Sequence, residues 1–158
     1  MKPSFSGGRS NMITFLSPAK NMQVCRREKI APGVPRYLEQ AKRIITELKK
    51  LQPWEFERIL SCNEEISWKA FTRFQDFDFE YKGTPALLSY DGLAFLYLDA
   101  YDFTKEDFSY ADDHLRVLSP LYGSLRPSDG IMPYRLELRC KFRIGGKSLT
   151  KFWGDLAY

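Results

Sequence analysis

HLRVLSPLYGSLRPSDGIMPYRLELRCKFRI, residues 114–144, is the stretch on which the reading of the fold turns. RVLS is extended and β-prone, and SPLYGSLRP (119–127) is a loop with a particular surface. From 135 to 144 the chain alternates. Leu136, Leu138, Cys140, Phe142 and Ile144 share one face; Arg135, Glu137, Arg139, Lys141 and Arg143 share the other. That is the period of a half-buried strand, here with a strongly cationic outer face. Gly145-Gly146 then makes a turn, and Ser148 caps a last helix over 149–157.

Upstream, MITFL (12–16) reads as a short buried strand ended by Ser17-Pro18. Tyr37 to Leu51 carries apolar residues at 38, 41, 44, 45, 48 and 51, the spacing of an amphipathic helix. Pro53 suits a first helical turn, so LQP (51–53) joins this helix to a second one bearing Trp54, Phe56, Ile59 and Leu60. A third helix is expected over Glu64 to Phe74. Pro85 to Ser89 stays open between states. GLAFLYLDA (92–100) is read as a helix capped by Asp91. Thr104 and Asp107 form a capping pair for a helix ending near His114.

Helices and strands without a βαβ repeat indicate an α+β class, an irregular mixed α/β single domain over 12–158, preceded by a loose tail at 1–11. The chain has 158 residues, 44% of them hydrophobic and 15% aromatic, enough for one real core. No apolar run spans a bilayer and the N-terminus lacks a signal-peptide centre, so the expected location is the cytoplasm, away from membranes. Three scattered cysteines and one histidine suggest no disulfide framework, no metal site and no cofactor. The last helix closes on Phe152 and Trp153; these are expected to pack on the core or against a second copy. The core is expected to be completed by a C-terminal segment this chain lacks.

Charge is unevenly distributed. Residues 20–50 hold nine Lys/Arg against three acids, 54–115 five against fourteen, and 116–151 eight against two. If the basic blocks converge they make a face suited to a polyanion. Ser17 and Lys20 follow a strand, where ligand loops gather in α/β architectures. In the second loop Ser119, Tyr122, Gly123 and Arg126 offer hydroxyls, a backbone open to close approach and a planar fork for phosphate or carboxylate. Asp129 is placed to fix that arginine. Lys20, Tyr122 and Arg126 are expected to face one shared anion pocket, and Ser17, Lys20, Tyr122 and Arg126 are the candidates for catalysis. His114, at a helix C-terminus, reads as a cap rather than a catalyst.

ITFLSPAK (13–20), KKLQPWEFERILSCNEEIS (49–67), the block from His114 to Leu138 and KFWGDLAY (151–158) together resemble the YaaA family of bacterial peroxide-stress proteins. The resemblance runs from Met12 to Tyr158 and covers the N-terminal part of the family's usual length. It implies a cytoplasmic protein that limits iron-dependent damage and binds double-stranded or distorted DNA through a positive cleft and a helix-hairpin-helix-like element. That element maps onto 38–50 and 53–61, with Lys49 and Lys50 at its hairpin. Together with the charge pattern, this makes Lys49, Lys50, Arg135, Arg139, Lys141 and Arg143 the expected DNA contacts. Two other readings remain open: an enzyme acting on a phosphorylated or nucleotide-like ligand held between SPAK and SPLYGSLRP, and an interaction domain whose basic strand meets an acidic partner.

Overall fold

The computed structural model describes residues 12–25 and 30–157, without the side chains of Asp155 and Ala157. The expected tail at 1–11 lies outside them. Strand β1 (Thr14–Leu16) is followed by β2 (Asn21–Met22) and by three helices, α1 (Leu38–Leu48), α2 (Pro53–Leu60) and α3 (Glu64–Gln75). Each helix follows from local signals. In α1 the buried residues are Ala41, Ile44, Ile45 and Leu48, one stripe at three- and four-residue spacing. Gln52 and Glu55 form a capping box around Pro53 at the start of α2, and Ser61 ends it in the left-handed region. The Asn63 side chain accepts the Ile66 N–H at the start of α3. Helices α2 and α3 pack through Phe56, stacked on Phe74 with centroids 5.6 Å apart and edge-on to Phe71.

Then come β3 (Thr84–Pro85), α4 (Ala86–Ser89), β4 (Tyr90–Asp91), α5 (Leu93–Leu98) and α6 (Lys105–His114). Helix α4, the segment left open by periodicity, is buried at every position. Gly92, not Asp91, sits at the cap position of α5, because Asp91 is drawn into the β2–β4 pair opposite Asn21. Thr104 and Asp107 form the expected capping box of α6. At its other end the His114 Nδ1–H donates to the Tyr110 carbonyl at 2.8 Å and the ring stacks on Tyr110, the structural capping role the sequence suggested.

The main sheet is built from β1, β5 (Leu115–Ser119) and β6 (Gly123–Leu125), in the order β1-β5-β6, with β1 parallel and β6 antiparallel to β5. Leu16, Val117 and Leu125 are register partners on the inner face. Phe15 and Arg116 are partners on the outer face, as are Leu118 and Ser124. MITFL is therefore less buried than expected: β1 is an edge strand, and Met12, Ile13 and Phe15 are exposed.

The pair β7 (Gly130–Ile131) and β3 brings the chain back across the core. The strand expected over 135–144 is absent. Residues 132–142 have no ladder partner, and the Cys140 N–H closes a turn onto the Glu137 carbonyl. Only Arg143–Ile144 (β8) is a strand, paired with Lys147–Ser148 (β9) across Gly145 and Gly146, whose φ angles of 55° and 75° fit a tight hairpin turn. The alternation is real in burial, since Leu136, Phe142 and Ile144 are buried. Alternation reports an extended chain over a core; it does not supply a strand to pair with.

Helix α7 (Leu149–Ala157) breaks at Gly154 (φ 31°, ψ −119°). Leu149 and Trp153 are fully buried, and the Trp153 indole N–H donates to the Pro120 carbonyl at 2.8 Å. Trp153 thus packs on the core, the first of the two options for this helix.

Candidate nucleic-acid interface

Beyond β1 the chain runs out through Ser17-Pro18-Ala19-Lys20 and is recaptured by the pairing of β2 with β4. Ser17 and Lys20 line a groove of about 320 Å³ whose other wall is Leu118, Pro120 and the segment Leu136–Leu138. Lys20 also belongs to an adjoining pocket of about 280 Å³, with Asn21, Lys69, Arg73 and Arg135. Lys20 lines both, so the two cavities adjoin, and together they are termed the channel around Lys20. Helix α3 turns Ala70 and Phe74 inward, and Ile66, Lys69 and Arg73, at i, i+3 and i+7, form its rim on the pocket.

Four cations from three segments therefore line one pocket. Glu137 is shared between them: its carboxylate lies 3.2 Å from Lys20 Nζ and 3.9 Å from Arg135 Nη2. Lys69 pairs with Glu65 at 2.7 Å, but both are well exposed, and such pairs are worth only ~0–1 kcal/mol. Among the described residues Arg73 has no ion-pair partner. The Arg135 Nε is buried without a hydrogen-bond partner. Four cations against two carboxylates leave a surplus of two positive charges, which attracts anions and steers their approach.

The remaining sequence candidates are scattered. Lys49 donates to the Phe77 carbonyl at 3.2 Å and Lys50 pairs with Glu47 at 2.7 Å. In the LQP hairpin the N–H groups of Lys49, Lys50 and Leu51 bond to Ile45, Glu47 and Leu48 carbonyls, and that of Gln52 to the Glu55 carboxylate. With Pro53 carrying no N–H, this hairpin has its backbone donors occupied. Arg139, Lys141 and Arg143 are exposed, but Arg139 lies within the turn at 137–140 and the other two beyond it, so they do not continue a flat face with Arg135. Tyr122 is buried, with its hydroxyl accepting the Met132 N–H, and borders a different cavity. Arg126 borders a third. Lys20, Tyr122 and Arg126 thus border three different cavities: Tyr122 sits in the turn between β5 and β6 with its ring in the core, while Arg126, in step with Ser124 of β6, turns outward.

Sequence reasoning missed Lys69 and Arg73. They sit in the acid-rich middle of the chain, and a block average hides them. Their four-residue spacing on a helix that was correctly expected was the available signal.

The sequence profile of the family described as "Peroxide stress protein YaaA" matches residues 12–158. The chain belongs to the YaaA peroxide stress protein family. Its YaaA-family relatives include UPF0246 proteins of Agathobacter rectalis (37% identical over 148 residues, 93% of this chain and 59% of the relative) and Saccharophagus degradans (38% over 149 residues, 91% and 58%). A UPF0246 protein of Clostridium perfringens is 40% identical over 148 residues, 91% of this chain and 58% of the relative. The chain thus spans a little under three-fifths of the length of these relatives. No described helix is long and apolar enough to cross a membrane.

Beneath the groove of this YaaA family member lies a buried hydroxyl chain. Ser119 Oγ contacts the Tyr134 hydroxyl at 2.7 Å, which contacts the Tyr90 hydroxyl at 2.6 Å. Ser119 Oγ also accepts the N–H groups of Leu121 and Tyr122, shaping the 119–123 turn. Ser119 is therefore fully buried and holds the turn together, and it lines neither of the two cavities. Burial pushes the Tyr90 phenol up to about 12 and raises those of Tyr122 and Tyr134 as well. The folded state then holds these protons more tightly than the unfolded chain. Their stabilising effect is complete below about pH 10 and is lost as pH rises toward 12 and beyond, at up to about 1.4 kcal/mol per pH unit for each tyrosine. Urea midpoints measured from pH 8 to 12 should be flat and then fall steeply above 10. A midpoint unchanged through pH 11.5 would contradict the buried network.

Proposed function

We propose that this chain binds DNA during peroxide stress, gripping the phosphate backbone with the channel around Lys20, and thereby limits iron-dependent damage to that DNA. The observation that carries the reading is the convergence of Lys20, Lys69, Arg73 and Arg135 on one pocket with a surplus of positive charge. Phosphate-directed cations position a protein on a duplex without reading bases, so the binding is sequence-independent. Family membership supports the stress context. The reading assigns no residue to iron: among the described residues no three His, Cys, Asp or Glu side chains group to hold an ion.

The enzyme alternative placed a ligand between SPAK and SPLYGSLRP; the cavity at Ser17 and Lys20 takes in Pro120 of the second loop, but Tyr122 and Arg126 border other cavities. DNA binding is accordingly the reading the geometry favours. Fluorescence anisotropy with plain and bulged duplexes of unrelated sequence, on a folded sample, tests it. Four phosphate contacts give a slope of log K against log salt of about −4, the same for every sequence. No binding at low salt, or binding that varies strongly among plain sequences, would overturn the reading.

A further inference from the structure

The outer face of the main sheet carries a second cationic cavity, of about 570 Å³, that shares no lining residue with the channel around Lys20. Its residues come from the side of the sheet turned away from the core: Phe15 from β1, its register partner Arg116 from β5, and Arg126 just past β6. Arg36 and Tyr37, which precede α1, form the opposite wall, with the Arg36 guanidinium 5.4 Å from the Tyr37 ring centre.

Two of the three guanidinium groups are held rigidly by one edge. Arg126 donates through Nε and Nη2 to Asp129 Oδ1 at 3.1 and 3.0 Å, and that carboxylate is itself fully buried. Asp129 Oδ2 takes the Arg126 backbone N–H. Arg116 Nη1 donates to the Asp112 and Leu115 carbonyls. A guanidinium has five N–H donors, so both arginines keep donors for a ligand while losing little freedom on binding it. Among the described residues Arg36 has no ion-pair partner. Even if Asp112, which bonds Ser128, is counted beside Asp129, the cavity stays cationic. The remaining wall is aromatic: Phe15 is 56% exposed, an unusual state for a phenylalanine.

We propose that this cavity binds a phosphomonoester attached next to an aromatic base, as in a 5′-mononucleotide or the 5′-phosphorylated end of a nucleic-acid strand. Planar forks pair with phosphate oxygens, two or more at a time, and a phosphomonoester carries the charge that three arginines match. An exposed ring beside them offers a stacking surface for a base. The volume lies within the range of small-ligand sites.

Isothermal titration with 5′-AMP, adenosine and ribose 5-phosphate tests the proposal, followed by oligothymidine with and without a 5′-phosphate. The variants are Arg36→Gln and Phe15→Ser, both at exposed positions, checked for folding by circular dichroism. AMP should bind at least about tenfold more tightly than adenosine, and Arg36→Gln should remove about that factor. Phe15→Ser should weaken AMP but leave ribose 5-phosphate unchanged, and Arg73→Gln, in the other channel, should alter neither. Tighter binding of the phosphorylated oligonucleotide than of AMP assigns the site to strand ends; the reverse assigns it to free nucleotides. If the phosphate adds nothing in either ligand, or folded Arg36→Gln binds like the parent, the proposal is wrong. Duplex binding through the channel around Lys20 survives that outcome, since neither Arg36→Gln nor Phe15→Ser touches it.

Discussion

Gly130→Ala should prevent the chain from folding stably, although it adds a single methyl group. A Cβ at Gly130 would stand 1.9 Å from the Lys82 carbonyl oxygen and 2.7 Å from Pro32 Cβ. Neither neighbour is a flexible side-chain tip. Gly130 is paired with Pro85 in the β3–β7 ladder, its N–H bonds to the Gly33 carbonyl, and Asp129 beside it anchors Arg126. Relief requires separating β3 from β7, which puts the cost above about 3 kcal/mol, a large share of the ~5–15 kcal/mol that holds a domain together. Urea unfolding followed by circular dichroism measures it. A variant within about 1 kcal/mol of the parent would mean that the two segments do not approach as described.

Trp153→Ala should be nearly as damaging. The indole is fully buried, meets Tyr37 edge-on at 5.9 Å and donates its N–H to the Pro120 carbonyl. It is the link between the last helix and the turn that follows β5. Removing it leaves a cavity and an unpaired carbonyl, at about 3–5 kcal/mol for the truncation. Trp153→Phe separates the two contributions: it restores most of the volume but leaves Pro120 unpaired, for a smaller loss of about 1–3 kcal/mol. Denaturation midpoints of the two variants should therefore fall in the order alanine, phenylalanine, parent. A Trp153→Ala protein as stable as the parent would show that the last helix does not close this core.

The parts of the fold that follow from neighbouring residues were legible in the sequence. The stripe of α1, Pro53 in the first turn of α2, and the Thr104–Asp107 pair each specify an element within a few residues. What sequence could not show is pairing. The parallel match of β1 with β5 joins residues a hundred positions apart, and it decides that Phe15 faces outward. The segment 135–144 has the right alternation and the wrong neighbours, so it packs as an extended, turned chain. The same limit applied to the site. Basic blocks pointed to a polyanion, but the channel forms where one residue from the first block, one from the last and two from the acid-rich middle come together. Lys49 and Lys50, the most prominent basic pair near the expected hairpin, are instead occupied by a carbonyl and a glutamate.

That contrast selects the measurement that bears most directly on the central claim. The salt dependence of duplex binding should be compared for the parent, Arg73→Gln and Lys50→Gln. If DNA lies along the channel around Lys20, Arg73→Gln lowers the magnitude of the log–log slope by about 1 for every duplex, and Lys50→Gln leaves it unchanged. The opposite pattern, with Lys50 required and Arg73 dispensable, would move the duplex to the α1–α2 hairpin and contradict the account.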